Sequence, residues 1–535
     1  MDTGRHGDLH PSTAQRISAV DLAQLEWETP EATMNIAAIL ELERDLDPAE
    51  LQAALDARIR AVPRLRQRLV PSRLHLGRPR WVDDPDFDLA RHLFTFPCPL
   101  PGDEDALLEL AAVEGNRPLL RDRPLWRAIH VTGMSRGRGA LVVVVHHAVA
   151  DGIGGLAVLR QLVDHSPGAE GASQPRPLPR KGAVRSWGTS LPLTPTLIRL
   201  VPGAIADLVS RSRMRAAHCS LNQKIGSGRR LAVARADLVS LVATAHRQQA
   251  TVNDLLLTAA TDALRAVLAA GGENVASLVV SVPVSRRTTT TATRLGNQVG
   301  AMPVSVPCEG TLLERLRSTA GETKGNRPSR ERDASMVWLG PVFWVLARFG
   351  QFQRFVRSQH LINTFLTNVH GPTEELTMLG VRVTAVIPVS PIAGNVTVAF
   401  TAFSYAGILS VTVVADRDRW PDARPIAAAL DRALRELQEQ DRNFRAVSRP
   451  AGSRQSPLSR VRHLPDQLLE HVLEEHHAAD RPVGVDHPGE VGAGPLHRPE
   501  DVVDVVVRTD GGEPTHPLER DRLRLPLVVR IQDVL

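Results

Sequence analysis

Apolar positions along the chain follow two periods, and each predicts a different element. The run LVVVV at 141–145 has no polar alternation, which predicts a strand buried on both faces. The stretches 34–42, 278–284, 396–403 and 409–414 predict further strands, with others around Trp81 and Ile129. The helical period appears after Asp47-Pro48, an N-cap followed by proline at the first helical position. Leu51, Leu55, Ile59 and Val62 then mark one apolar face, and Pro63 ends it. Thr251 opens a second helix with a stripe of Leu256, Ala260, Leu264, Val267 and Leu268, stopped by Gly271-Gly272. Helices are also predicted over 104–114 and 422–440, the latter with Ile426, Leu430, Leu434 and Leu437 on one face. Strands and helices mix in both halves, so the fold class is α/β, or α+β layered, in each.

A chain of 535 residues is too long for one ordinary core. We divide it into a first domain at 1–165, a Pro/Gly/Arg-rich linker and crossover at 166–228, a second domain at 229–447 and a tail at 448–535. The linker reading rests on the Pro, Gly and Ser of 166–195; an amphipathic stretch follows at 196–216 with Arg211, Arg213 and Arg215. The tail has no aromatic, Met, Cys, Lys or Asn and is predicted to be disordered, with one helical stretch over 464–475.

Charge changes the picture little. The net charge is +5, and lysine occurs only at Lys181, Lys224 and Lys324, a skew toward arginine that reads as coding bias. No zinc-finger spacing or RNP-type aromatic motif accompanies it, so nucleic acid is not an expected partner. Cys98, Cys219 and Cys308 are scattered without a CxxC pair, which predicts a reducing compartment and no disulfide framework. Residues 1–19 lack an apolar signal core. The most apolar window, VWLGPVFWVLA at 337–347, is too short to span a bilayer. It reads as a core helix or turn; the alternative is an interfacial patch of Trp338, Phe343 and Trp344 beside Arg348, Arg354 and Arg357. The expected location is therefore cytoplasmic, with peripheral contact to the inner membrane face or lipid droplets left open.

The candidate chemistry sits where the 141–145 run ends. His146 and His147 are followed by Asp151 and Gly152 in the pattern HHxxxDG. A strand end beside a turn presents a side chain to a cleft from rigid backbone. An imidazole near its ordinary pKa accepts a proton at neutral pH, which suits His147 to general-base work. His146 should point to the opposite face, where packing is as good an explanation as catalysis. Asp151 is expected to hold the loop through an arginine and loop amides, and Gly152 lets the backbone bend tightly. A second His-His pair, His476-His477, has no glycine after its Asp and no buried strand before it, and is discounted. The chain has no GxSxG, HExxH or Walker loop, and no metal site is expected. A base without its own nucleophile points to direct transfer from an activated carbonyl to an acceptor hydroxyl.

Several separated segments resemble the bacterial wax ester synthase/diacylglycerol acyltransferase family, within the CoA-dependent acyltransferases that share HHxxxDG. They are PRLRQRL (63–69), RPLW (123–126), HHAVADGIGGLAVL (146–159), VNDLLL (252–257), VPVSRR (282–287), GNQVGAMPV (296–304), TNVHGP (367–372) and SYAGILSVTVVADRDRWPD (404–422). The resemblance implies two chloramphenicol-acetyltransferase-like domains with the active-site channel between them. It implies acyl-CoA as co-substrate with no cofactor, and diacylglycerol or a long-chain alcohol as acceptor. His147 would be the base. Asn253 matches the family's Asn-Asp motif and would position substrate, unless it only starts the helix; Asp254 is the neighbouring candidate, with capping as its alternative. Gly371-Pro372 is expected to shape a turn. Two departures bear on acceptor choice: Thr33-Met34-Asn35 stands where the family often has Pro-Met-His, and His370 where proline is usual. Two other readings stay open, a catalytically silent lipid- or acyl-CoA-binding protein and a condensation-type enzyme using a carrier-protein thioester. Acyl length and oligomeric state are not legible.

Overall fold

The computed structural model describes residues 15–72, 78–164, 216–285, 299–325 and 352–447. The expected linker (166–195), the amphipathic stretch at 196–215, the aromatic window at 337–347 and the tail all lie outside them.

Two six-stranded sheets carry the architecture. The first runs in the order Thr377–Met378, Val381–Val389, Asn35–Leu42, Gly139–His146, Trp126–Thr132, Leu93–Pro97. Its centre is the predicted valine run: every residue of Gly139–His146 is buried, flanked antiparallel by Asn35–Leu42 and Trp126–Thr132. The second runs Val299–Pro307, Ser277–Ser285, Thr364–His370, Val398–Tyr405, Ile408–Asp416, Arg229–Asp237. Within it Thr364–His370 lies parallel to both neighbours. A small third sheet joins Gln15–Arg16, Arg80–Asp83 and Gln67–Val70.

Helices cover these sheets where the periodicity places them. Pro48–Ile59 is capped by Asp47, whose Oδ1 accepts from the amides of Ala49 and Glu50 at 2.9 Å each. Leu51, Leu55 and Ile59 are its buried face. Val252–Ala270 starts with a reciprocal capping box between Thr251 and Asp254. It packs with Arg424–Val447 over the second sheet, where Leu264, Leu268, Leu430 and Leu434 share one core. The three cysteines are buried and unbridged.

One strand departs from chain order. Val381–Val389 falls within 229–447, yet it adds antiparallel to Asn35–Leu42 in the first sheet, with Ile387 opposite Ile39. The two sheets therefore do not follow the division at 229. Pairing is decided by an available sheet edge, not by nearness in sequence. Two latches hold the exchanged segment. The carboxylate of Asp164, which Arg58 also grips, accepts from Leu379 N at 3.0 Å and Gly380 N at 2.8 Å. The hydroxyl of Tyr405, at the end of a second-sheet strand, accepts from Leu376 N and donates to Val383 O, both at 2.8 Å.

Candidate active site

The valine strand ends on His146, the chain turns through 147–151, and the helix Gly152–Leu162 begins with Asp151 as its N-cap. Asp151 is buried; its Oδ1 accepts from Gly154 N at 2.7 Å, while its carbonyl takes Gly155 N at 2.6 Å. A carboxylate is well placed at a helix N-terminus, where it meets both free amides and the positive end of the dipole.

The two histidines differ as strand alternation requires. His146 is 1% exposed, with its ring packed inside the first half. His147 is only partly buried. The backbone on either side of His147 is pinned: its own N–H donates to Met34 O at 2.7 Å, and Ala148 N–H donates to the His146 ring at Nδ1, 3.0 Å away. Val149 N–H closes the turn onto His146 O at 2.8 Å. The ring at 147 is thus carried on backbone with little freedom to drift.

Gly152 sits at the seam with the second half. A Cβ there would lie 2.8 Å from Cγ2 of Val369, on the strand Thr364–His370, so only glycine permits this approach. The neighbouring Asn368 donates from Nδ2 to Oδ1 of Asn253 at 2.9 Å. The turn of HHxxxDG, the strand of TNVHGP and the start of the 252–270 helix therefore meet in one neighbourhood. Asn253 accepts from Asn368 through its amide oxygen. Asp254 is buried and its carboxylate is fully engaged: Oδ2 accepts from Thr251 N at 2.8 Å and Oγ1 at 2.9 Å, and Oδ1 accepts from Thr323 Oγ1 at 2.8 Å. It caps the helix and faces its neighbour Thr323. Gly371 lies so close to the neighbouring strand that a Cβ would meet Ser404 O at 2.1 Å, and Pro372 O takes Ala406 N at 3.1 Å, so Gly371-Pro372 packs against the end of Val398–Tyr405 and forms no turn of its own.

The two departures fall in different places. Asn35 is buried opposite His146 in the sheet register, and its Nδ2 donates to the carbonyls of Gly115 and Arg117 at 3.0 Å each. His370 is exposed at the end of its strand. Sequence reasoning missed Asn368 and Val369, which TNVHGP contained but which no periodicity singled out. It also missed Glu28 and Arg121, which stand behind His146: Glu28 Oε1 is 3.8 Å from Nε2 of His146, and Arg121 grips Oε2 at 2.9 Å. Among the described residues no group of three His, Cys, Asp or Glu side chains is arranged to hold a metal.

Comparison with known proteins agrees with this arrangement. Residues 17–256 match the wax ester synthase/diacylglycerol acyltransferase catalytic domain, and residues 295–438 match the C-terminal domain of the same family. Two relatives from Mycobacterium tuberculosis H37Rv carry provisional names as diacylglycerol O-acyltransferases. One is 30% identical over 470 residues, covering 79% of this chain and 90% of the relative. The other, tgs1, is 31% identical over 411 residues, covering 73% and 88%. Among solved structures, the wax ester synthase/diacylglycerol acyltransferase from Marinobacter aquaeolei VT8 superposes with a TM-score of 0.59 at 22% identity, over 80% of this chain and 100% of that one. The starter condensation domain of rhizomide synthetase in complex with C8-CoA gives a TM-score of 0.52 at 16% identity, over 80% and 95%. The fold is thus that of the two-half, chloramphenicol-acetyltransferase-like enzymes. The family that the sequence motifs resemble is the one to which the chain belongs: this protein is a member of the wax ester synthase/diacylglycerol acyltransferase family, an acyltransferase.

Proposed function

We propose that the protein transfers a long-chain acyl group from acyl-CoA to the hydroxyl of diacylglycerol, with long-chain alcohols as a second acceptor, and that His147 is the general base. The observation that carries this reading is the presentation of His147 on a turn pinned at both flanks, at the seam where Gly152 touches Val369. His147 removes the proton from the acceptor hydroxyl as its oxygen attacks the thioester carbonyl. The tetrahedral oxyanion that forms needs donors, and the side-chain amides of Asn253 and Asn368, bonded to each other beside Val369, are the candidates. Collapse expels the CoA thiolate, which recovers the proton from the imidazolium. No covalent enzyme intermediate and no cofactor enter. The lipid acceptor arrives from a membrane or droplet surface; among the described residues no helix is long and apolar enough to cross a bilayer.

The test is a side-by-side assay of free CoA release from palmitoyl-CoA, with dioleoylglycerol in one arm and hexadecanol in the other. Release should require an acceptor and be faster with diacylglycerol. His147→Ala should lower kcat by about 10²–10⁴-fold, the usual worth of a positioned base. Turnover retained by that variant refutes the base role. Acyl-CoA binding with no release in either arm leaves the silent binding protein, and release only with a carrier-bound thioester leaves the condensation-type enzyme.

A further inference from the structure

Behind the two histidines lies a buried carboxylate that no family motif includes. Glu28 follows the helix Ala19–Trp27, and its side chain is 13% exposed. One oxygen faces Nε2 of His146 at 3.8 Å; the other accepts from Nη2 of Arg121 at 2.9 Å, and the same Arg121 nitrogen also donates to Leu25 O at 3.2 Å. On the far side of the His146 ring, Nδ1 accepts the N–H of Ala148. That bond exists only while Nδ1 carries no proton, so the single ring proton must sit on Nε2, facing Glu28. A proton on Nδ1 would oppose the Ala148 N–H and release the turn beside His147.

We propose that Glu28, clamped by Arg121, is a positioning residue that fixes the ring tautomer of His146 and through it the placement of His147. This rests on the reading of His147 as the base. A carboxylate 3.8 Å from a ring nitrogen in a buried setting favours the tautomer whose N–H points toward it. The carboxyl of Glu28 itself lies below its ordinary range: burial opposes this, and the contacts with His146 and Arg121 outweigh it. The relay is Arg121 to Glu28, Glu28 to the His146 ring, ring to Ala148 N–H, and so to the residue between. It touches no substrate, and its effect is on the geometry of the reacting step.

The test is a double-mutant cycle on the full chain, with kcat and KM measured for palmitoyl-CoA and dioleoylglycerol. Glu28→Gln keeps shape and removes charge. His146→Phe keeps a ring and removes the acceptor for Ala148 N–H. Each should lower kcat about tenfold with KM unchanged, as a small misplacement of a catalytic group does. The double variant should lose no more than either single, because both remove one relay. Wild-type kcat in Glu28→Gln, or a double loss near the product of the singles, overturns the proposal. Arg121→Met changes a side chain that is 57% exposed and tests the same carboxylate should Glu28→Gln not fold; it should lower kcat about threefold, and an unchanged kcat there overturns the proposal equally. His147→Ala runs alongside: turnover in that variant defeats the base role itself, whereas a dead His147→Ala beside a normal Glu28→Gln defeats only the positioning.

Discussion

Gly152→Ala is the most economical probe of the seam. The added methyl would stand 2.8 Å from Val369 Cγ2. Carbon atoms at rest in a packed core sit about 3.5–4.0 Å apart, so the helix start and the opposing strand must separate by roughly an ångström. Overpacking of this kind costs about 1–3 kcal/mol. The neighbouring residue is Asp151, whose cap on Gly154 N is 2.7 Å long and fixes the turn that carries His147. Displacement of a catalytic group by about an ångström costs on the order of a hundredfold in rate. Gly152→Ala should therefore lower kcat for CoA release by about ten- to a hundredfold and lower the melting temperature by a few degrees, the shift that about 1–2 kcal/mol produces in a protein of this size. Val369→Ala removes the opposing methyl. Alone it should cost about 1 kcal/mol and leave most activity. Combined with Gly152→Ala it should restore both rate and melting temperature toward those of Val369→Ala alone. Wild-type rate and stability in Gly152→Ala, or a double variant as damaged as Gly152→Ala, would refute the steric account.

Two further predictions concern the frame around the site. Tyr405 is the only tyrosine in the chain, so an ultraviolet titration reads it alone. Burial raises its pKa above the ordinary 10, hence its neutral form stabilises the fold below that value and the contribution is lost as pH rises through the folded pKa. The native titration should have its midpoint above 10 and that of urea-unfolded protein near it, and Tyr405→Phe, which strands Leu376 N and Val383 O, should cost about 1–3 kcal/mol in a urea melt. Glu41 is buried beside Glu104, Arg138 and Arg235; burial first, then Glu104, pushes its carboxyl from 4.5 up to about 7. Its proton thus stabilises the fold below pH 4.5, and that stability is lost as pH rises through about 7. Glu41→Gln should gain on the wild type between pH 5 and 8, by at most about 3 kcal/mol in urea melts; a gap that stays constant with pH refutes the assignment.

The parts of this molecule legible in sequence are those in which local chemistry decides. The 252–270 helix announces itself through Thr251, Asp254 and the stripe to Leu268; Thr251 and Asp254 form its cap, and Leu256, Ala260, Leu264 and Leu268 are buried with Val267 half-buried beside them. The valine run at 141–145 could only be a doubly covered strand, and it is the centre of its sheet. The turn of HHxxxDG was readable because a buried strand, a capping Asp151 and Gly152 follow one another within a few residues. Illegible were the features that long-range pairing decides. In Val381–Val389, Arg382 and Thr384 alternate outward and Pro388 argues against a central strand, yet the segment finds the free edge of Asn35–Leu42. Arg229–Asp237 reads as a polar arginine stretch until Ile408–Asp416 pairs with it. Nothing around Glu28 hints at His146, because the two meet only when the first helix folds back against the end of the valine strand.

The exchanged strand also explains how a site built from two halves keeps its geometry. Contacts between side chains across a seam tolerate sliding, whereas a β ladder does not: a slip of one residue turns every side chain to the wrong face. The ladder from Val383 opposite Leu42 to Val389 opposite Ala37 ties a segment entered from the second sheet to the strand next to the histidines. Asn35, in that neighbouring strand, is in register with His146. Tyr405 and Asp164 then bond the backbone of the exchanged segment to the second-sheet strand and to the end of the Gly152–Leu162 helix. The position of Val369 against Gly152 is therefore held by a β ladder and by side-chain bonds to backbone on both sides of the seam, and the turn that carries His147, pinned to Met34, does not depend on any single strong contact between the halves.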